Sequence, residues 1–218
     1  NKIFLVCKAG ECLLLSIMAS TLALLILCTA MFPNSSQAAV RAYMGTWDLD
    51  GDGSNEMAYN LGQHLEIQSL SGLSFTYKIG ASWGLNQVTD TDGDGVTDLV
   101  SLAVDGGKQG VKVLHHKTHN LRFYQVLGSP SIGLYKDTPG VDLDGIPGSE
   151  LIIKKQNLLI VIHDRDASMY QYNLGADNWG IHSISIADFN AEPGKEILVK
   201  RPTGVTVILD RVKTGTNM

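Results

Sequence analysis

The chain has 218 residues, with 17 basic and 22 acidic side chains and a formal net charge of −5. That length holds one ordinary domain or two small ones. The composition excludes a collagen, a long coiled coil, a polytopic membrane protein and a basic nucleic-acid binder. The three cysteines (Cys7, Cys12, Cys28) all lie near the N-terminus, which excludes a disulfide-stapled mini-protein.

Lys2 and Lys8 precede an apolar run, Leu13–Phe32, and Cys12 to Phe32 contains no formal charge. Pro33-Asn34 then breaks any helix, and Ser36-Gln37-Ala38 places small residues at −3 and −1 of a cleavage site. Basic, apolar, small is the order of a secretory signal peptide. The run exceeds the usual apolar core of about 7–15 residues, and as a helix it is long enough to cross a bilayer core of about 30 Å. Residues 1–38 are therefore read as a signal peptide or as an uncleaved signal-anchor helix. Either places residues 39–218 outside the cytoplasm, secreted or at the cell surface, with membrane contact only through a retained N-terminal segment. Cleavage after Ala38 leaves a chain without cysteine, so an exported domain must rely on a large core or on bound metal.

The rest of the chain contains an internal repeat. Four segments align: Asp48-Leu-Asp-Gly-Asp-Gly-Ser-Asn-Glu56, Asp90-Thr-Asp-Gly-Asp-Gly-Val-Thr-Asp98, Asp142-Leu-Asp-Gly-Ile-Pro-Gly-Ser-Glu150 and Asp188-Phe-Asn-Ala-Glu-Pro-Gly-Lys-Glu196. Their starts are 42, 52 and 46 residues apart. Oxygen-bearing side chains recur at positions 1, 3, 5 and 9: Asp48, Asp50, Asp52 and Glu56; Asp90, Asp92, Asp94 and Asp98; Asp142, Asp144 and Glu150; Asp188, Asn190, Glu192 and Glu196. The third segment has Ile146 at position 5, and whether it binds an ion stays open. Calcium takes six to eight hard oxygen ligands, and alternate residues of a tight glycine-containing loop can turn their oxygens inward around it. Without a cation, such carboxylates repel one another. Ca²⁺ is the expected cofactor, and fourteen of the 22 acids lie in these loops.

An EF-hand requires Glu at position 12 and flanking helices. Position 12 here is Tyr59, Ser101, Ile153 and Val199. The segments after the loops are instead apolar and β-branched, as in Leu158-Leu-Ile-Val-Ile and Val205-Thr-Val-Ile-Leu, separated by turn clusters such as Asp105-Gly-Gly and Lys117-Thr-His-Asn. These predict strands and hairpins, so the repeating unit is a strand, an acidic loop, then two or three more strands.

Asp188-Phe-Asn-Ala-Glu-Pro-Gly-Lys-Glu-Ile197 and Asp90-Thr-Asp-Gly-Asp-Gly-Val-Thr-Asp-Leu99 resemble the FG-GAP/VCBS repeat, the calcium-loop blade of integrin-α-type β-propellers. The resemblance runs from about Tyr43 to Asp210. It implies an all-β, propeller-like array of about four blades, calcium on the acids named above, and extracellular binding or adhesion with an unidentified protein or carbohydrate ligand. Only 22 residues come after Glu196. Either Val40–Trp47 completes the last blade in a small closed ring, or the chain is a fragment.

The remaining candidates are weaker. His115 and His116 point to opposite faces of a strand and do not readily join one metal site, even with His119 nearby. Asp164 and Asp166 read as a solvated turn rather than a catalytic pair. Trp83 and Trp179 recur at one place in the repeat, which favours core packing over sugar stacking. No phosphate loop or nucleophile motif is present, so no enzyme is expected. The sequence reads as an exported calcium-binding repeat module, with self-association open. Its rivals are a membrane-tethered or self-assembling surface protein retaining its N-terminal helix, or an accessory domain of a larger secreted enzyme.

Overall fold

The computed structural model describes residues 4–8, 11–15, 41–126, 133–134, 140–155, 157–174, 184–201, 204–212 and 214–217. The chain divides into two units, residues 1–39 and 40–218. In the first, β1 (Phe4–Lys8) and β2 (Glu11–Leu15) pair antiparallel, with Cys7 opposite Cys12 and Lys8 opposite Glu11. The apolar helix expected after Cys12 lies outside the described residues, except that Leu13–Leu15 stand in β2. No helix among the described residues is long and apolar enough to cross a membrane.

The second unit is all-β. Its strands form four antiparallel sheets of four, each a meander in chain order. The first sheet holds β3 (Ala42–Trp47), β4 (Glu56–Asn60), β5 (His64–Gln68) and β6 (Ser74–Lys78); the second holds β7 (Ala81–Thr89), β8 (Asp98–Asp105), β9 (Lys108–His115) and β10 (Asn120–Gln125). The third holds β11 (Gly133–Leu134), β12 (Leu151–Lys155), β13 (Leu158–His163) and β14 (Ser168–Asn173). The fourth holds β15 (Ile184–Ala187), β16 (Glu196–Arg201), β17 (Gly204–Leu209) and β18 (Thr214–Asn217), with a short 3-10 turn at Asp210–Val212. Each acidic loop joins the first strand of its sheet to the second.

The apolar runs are explained by what covers them. Successive side chains of a strand point to opposite faces. In the third sheet Leu151, Ile153, Ile160 and Ile162 face a core shared with Val100, Val111 and Val113 of the second. Ile152, Leu159 and Val161 face a core shared with Ile197, Val199 and Ile208 of the fourth. A third core joins the first sheet (Ala58, Leu65, Ile67) to Leu99, Ala103 and Leu114 of the second. Strands covered on both faces need apolar residues at every position, whereas the outer strand β14 alternates partly buried and exposed residues.

The acidic loops lie against one another along the array. The Ser149 amide donates to the Asp90 carbonyl at 2.9 Å, and the Lys195 amide donates to the Asp142 carbonyl at 2.9 Å. Position 4 of one loop meets the next loop: a Cβ on Gly93 would lie 2.2 Å from the Pro147 carbonyl oxygen, and one on Gly145 2.4 Å from Pro193. Both glycines also have positive φ, +81° and +77°. The fourth loop has Ala191 at position 4.

Ring completion by Val40–Trp47 is not what the chain does. Ala42–Trp47 pairs with β4 in the first sheet, and β18 forms the outer strand of the fourth. Among the described residues no apolar core joins the fourth sheet to the first. The physical reason is the position of each strand relative to its loop: every sheet supplies its own strand before the loop, so none is left over to lend.

Gly93 and Gly95 share φ +81°, but a Cβ on Gly95 meets nothing within 4 Å. Gly95→Ala should therefore cost only the left-handed backbone penalty, about 1 kcal/mol. Gly93→Ala should cost about 3 kcal/mol, because the next loop must also move. Urea unfolding of both variants checks this, and equal losses would refute the close stacking of loops.

Candidate metal centres

Two backbone hydrogen bonds recur in all four loops and a third in three of them. The position-9 carboxylate accepts from the position-2 amide in all four: Leu49 to Glu56 at 2.8 Å, Thr91 to Asp98 at 2.9 Å, Leu143 to Glu150 at 2.6 Å and Phe189 to Glu196 at 2.8 Å. The position-1 aspartates Asp48, Asp90 and Asp142 accept from the glycine amides at position 4, at 2.6–2.8 Å. Position 3 accepts from the amide at position 5 in every loop. The position-9 acids are buried, with Glu56 1%, Asp98 3%, Glu150 5% and Glu196 2% exposed.

Ligand atoms within 4.8 Å of one another, close enough to hold one metal ion, gather at three loops. Asp48, Asp50 and Glu56 form an all-oxygen group, as do Asp90, Asp92 and Asp94. Two further groups include an imidazole: Asp92, Asp98 and His115, and Asp144, Glu150 and His163. These donor sets fit a metal ion, and the all-oxygen ones suit a hard cation. Among the described residues the fourth loop gathers no such group of three. The Asn190 amide donates to Glu196 at 2.6 Å, and the Arg211 guanidinium reaches both residues.

Burial and unneutralised neighbours show in the acids. Burial pushes Glu56 up, as do the charges of Asp50, Asp52 and Asp48, although the Leu49 amide pulls it down. Burial and the charge of Asp98 raise Asp92, with His115 opposing. Burial also raises Glu150, against the hydrogen bond from His163.

The histidines and Asp164 are where the sequence reading needs correction. His115 and His116 do part, as expected of neighbours on a strand. His115 Nδ1 lies 2.9 Å from Asp98 and 3.3 Å from Asp92, while Nε2 lies 2.8 Å from Asp164 of the next sheet. His163 repeats this: Nδ1 faces Asp144 and Glu150 at 3.3 and 3.4 Å, and Nε2 lies 2.7 Å from Asp210 of the fourth sheet. Asp164 is not solvated but 0% exposed, because the second sheet covers it with Thr91, His115, Arg122 and Tyr124. Asp166 only caps its turn, accepting from the Ser168 amide. Tyrosines of the outer strands complete the seams: Tyr124 donates to Asp164 and Tyr172 to Asp210.

A second repeat announces these groups. His115-His116-Lys117, His163-Asp164-Arg165 and Leu209-Asp210-Arg211 each end the third strand of a sheet. The basic residue turns back on its own loop. Lys117 lies 3.0 Å from Asp94; Arg165 lies 3.0 Å from Asp144 and donates to the Ile146 and Pro147 carbonyls; Arg211 faces Asn190 and Glu196. His116 takes the place of Asp164 and Asp210, and its Nδ1 lies 2.7 Å from Tyr77 OH. Burial and the neighbouring His119 push His116 down to about 4, so it is neutral. Trp47 packs on the core of the first two sheets. Trp179 and the Trp83 side chain lie outside the described residues.

Compared with known proteins, the sequence matches no family model and no curated protein.

Burial opposes charging of His115 and His163, but their carboxylate partners outweigh it and raise them to about 10 and about 9. A folded pKa above the ordinary 6.5 stabilises fully below pH 6.5, and that stability is lost as pH rises through 9 to 10. In EGTA the urea midpoint should therefore fall from pH 6.5 to pH 10. His163→Gln, which removes the imidazolium beside the buried Asp210, should cost about 3 kcal/mol near pH 7 and less near pH 9.5. A loss unchanged between those two pH values would refute the charged pairing.

Proposed function

We propose that this chain is an exported, calcium-binding repeat module of the β-propeller kind that works in binding or adhesion at a cell surface or in the extracellular space. One observation carries the reading: four stacked loops hold the same backbone frame around a buried position-9 carboxylate. Such a frame gathers acids at a cost that a divalent cation offsets. The resemblance of these loops to FG-GAP/VCBS repeats supports calcium as the ion, and so do the all-oxygen groups at the first two loops. The apolar N-terminal run supports export. The absence of described cysteines from residues 41–217 fits a domain cross-linked by metal rather than by disulfides.

Extracellular modules hold calcium at Kd of about 10⁻⁴–10⁻³ M, so at ten times Kd each filled loop stabilises the fold by about 1.4 kcal/mol. Ligand capture then belongs to surfaces that the calcium-stiffened sheets present. An immobilised chain should retain cells or extracellular glycoproteins in calcium and release them in EGTA. Retention indifferent to EGTA would sink the adhesive reading.

Calcium itself is tested by a crossed experiment. Millimolar calcium should raise the melting temperature of the wild type above its value in EGTA. Glu56→Gln keeps an acceptor for the Leu49 amide but removes one of four crowded charges. In EGTA it should melt at or above the wild type. In calcium it should show a shift smaller by about one site, roughly 1.4 kcal/mol. A wild-type melt unchanged between EGTA and calcium refutes the metal.

A further inference from the structure

In the second and third sheets the residue just past a paired strand position is a histidine: His115 comes after the Leu99–Leu114 pair and His163 after the Leu151–Ile162 pair. Two residues on stand Lys117 and Arg165. In the first sheet the register places Ser69 after the Met57–Gln68 pair, and Ser71 two residues further. Both nitrogen cations of the repeat are thus replaced by the smallest hydroxyl side chain. Among the described residues no basic side chain pairs with Asp48, Asp50, Asp52 or Glu56.

The space those side chains would fill is open. A cavity of about 310 Å³ lies there, between the first loop, the β5–β6 turn and the β9–β10 turn. Asp50 and Asp52 line it on one side, Ser69 and Ser71 on another, and Phe75 and His119 on the third. The Phe75 and His119 rings stack at 4.4 Å, and Tyr77 OH ties down both His116 and His119 at 2.7 and 2.8 Å. Lys117 also reaches the cavity, but its ammonium is committed to Asp94 of its own loop.

The molecule itself displays what such a seat accepts. At the place of Ser71, the third sheet sets the Arg165 guanidinium against the position-3 carboxylate and the carbonyls of positions 5 and 6. The fourth sheet sets Arg211 against positions 3 and 9. We propose that the cavity beside the first loop is a docking seat for an arginine side chain presented by a partner protein. The planar, always-charged guanidinium faces Asp50 and Asp52, and the ring of Phe75 offers it a stacking surface. A divalent ion alone leaves most of a space this size to water, whereas an arginine side chain brings both charge and an apolar stem.

The proposal goes beyond the calcium reading and is tested without it. The full chain, ¹⁵N-labelled and kept in EGTA, is titrated with acetyl-Gly-Arg-Gly-amide and with the same peptide carrying citrulline, which is isosteric but uncharged. The arginine peptide should produce saturable amide shifts confined to residues 50–52, 69–75 and 116–119, and citrulline should bind at least about tenfold more weakly. Ser71→Arg fills the seat from within, as the third sheet does, and should abolish the shifts while melting in EGTA at or above the wild type. Should that variant misfold, Asp50→Asn keeps the loop's amide acceptor and should weaken binding several-fold. Absence of saturable shifts, equal binding of citrulline, or wild-type binding by the folded Ser71→Arg chain or by Asp50→Asn would each overturn the seat. Asp50 is also offered to calcium, so EGTA keeps the two cations from competing for it, and the failure of calcium is read separately from the melt.

Discussion

Carboxylates crowded at one edge of a stack of sheets set the terms for the rest of this molecule. The position-9 acid begins or immediately precedes the second strand of each sheet, is buried, and accepts the amide of position 2. That hydrogen bond fixes where the loop closes and where the strand starts, so the loop and the sheet register are specified together. Its cost is a buried negative charge in every sheet, placed near the acids of positions 1, 3 and 5. A buried carboxylate survives only with hydrogen bonds and a counter-charge.

The second and third sheets supply much of that counter-charge internally. His115 and His163 each stand between the acids of their own loop and an aspartate of the next sheet. Asp164 and Asp210 are fully buried and are bonded by a tyrosine of the preceding sheet as well. Apolar cores alone would let neighbouring sheets slide, since dispersion is weakly directional. A buried aspartate that must meet one histidine and one tyrosine allows a single alignment. Here the ionic seam and the loop stacking, with Gly93 under Pro147 and Gly145 under Pro193, constrain the same edge.

Much of this was legible in the sequence. The loops could be read because their ligand pattern is local: four oxygens in nine residues, with glycines where the backbone must turn. The inner strands could be read because burial on both faces demands unbroken apolar runs such as Leu158–Ile162. Asp164 could not be read from its surroundings, because His-Asp-Arg-Asp before a turn has the chemistry of a solvated hairpin. What buries it is the second sheet, whose Tyr124 lies 40 residues away in the chain. The second repeat stayed hidden for a related reason. Its members lie 25 residues after Asp90 but 21 after Asp142 and Asp188, and His116 and Leu209 replace expected residues. The closed ring, one of two alternatives open at the sequence level, rested on a residue count, which says how many strands fit but not which sheet a strand joins.

The four repeats are alike in frame and unlike in charge. The first loop has four carboxylates and no cationic side chain among the described residues. The second has four carboxylates, a histidine and a lysine; the third has three, a histidine and an arginine. The fourth has replaced the position-3 acid by Asn190, leans it on Glu196, and sets Arg211 beside both. Demand for an outside cation is therefore largest at the first loop, while the hydrogen bonds from position 2 to position 9 and from position 5 to position 3 are kept in every loop. Stacked repeats contact only their neighbours, so each can carry its own balance of charge without disturbing the fold of the next. An array built this way separates what folds the chain, the shared hydrogen bonds and cores, from the charge balance of each loop, which is least satisfied from within at the first.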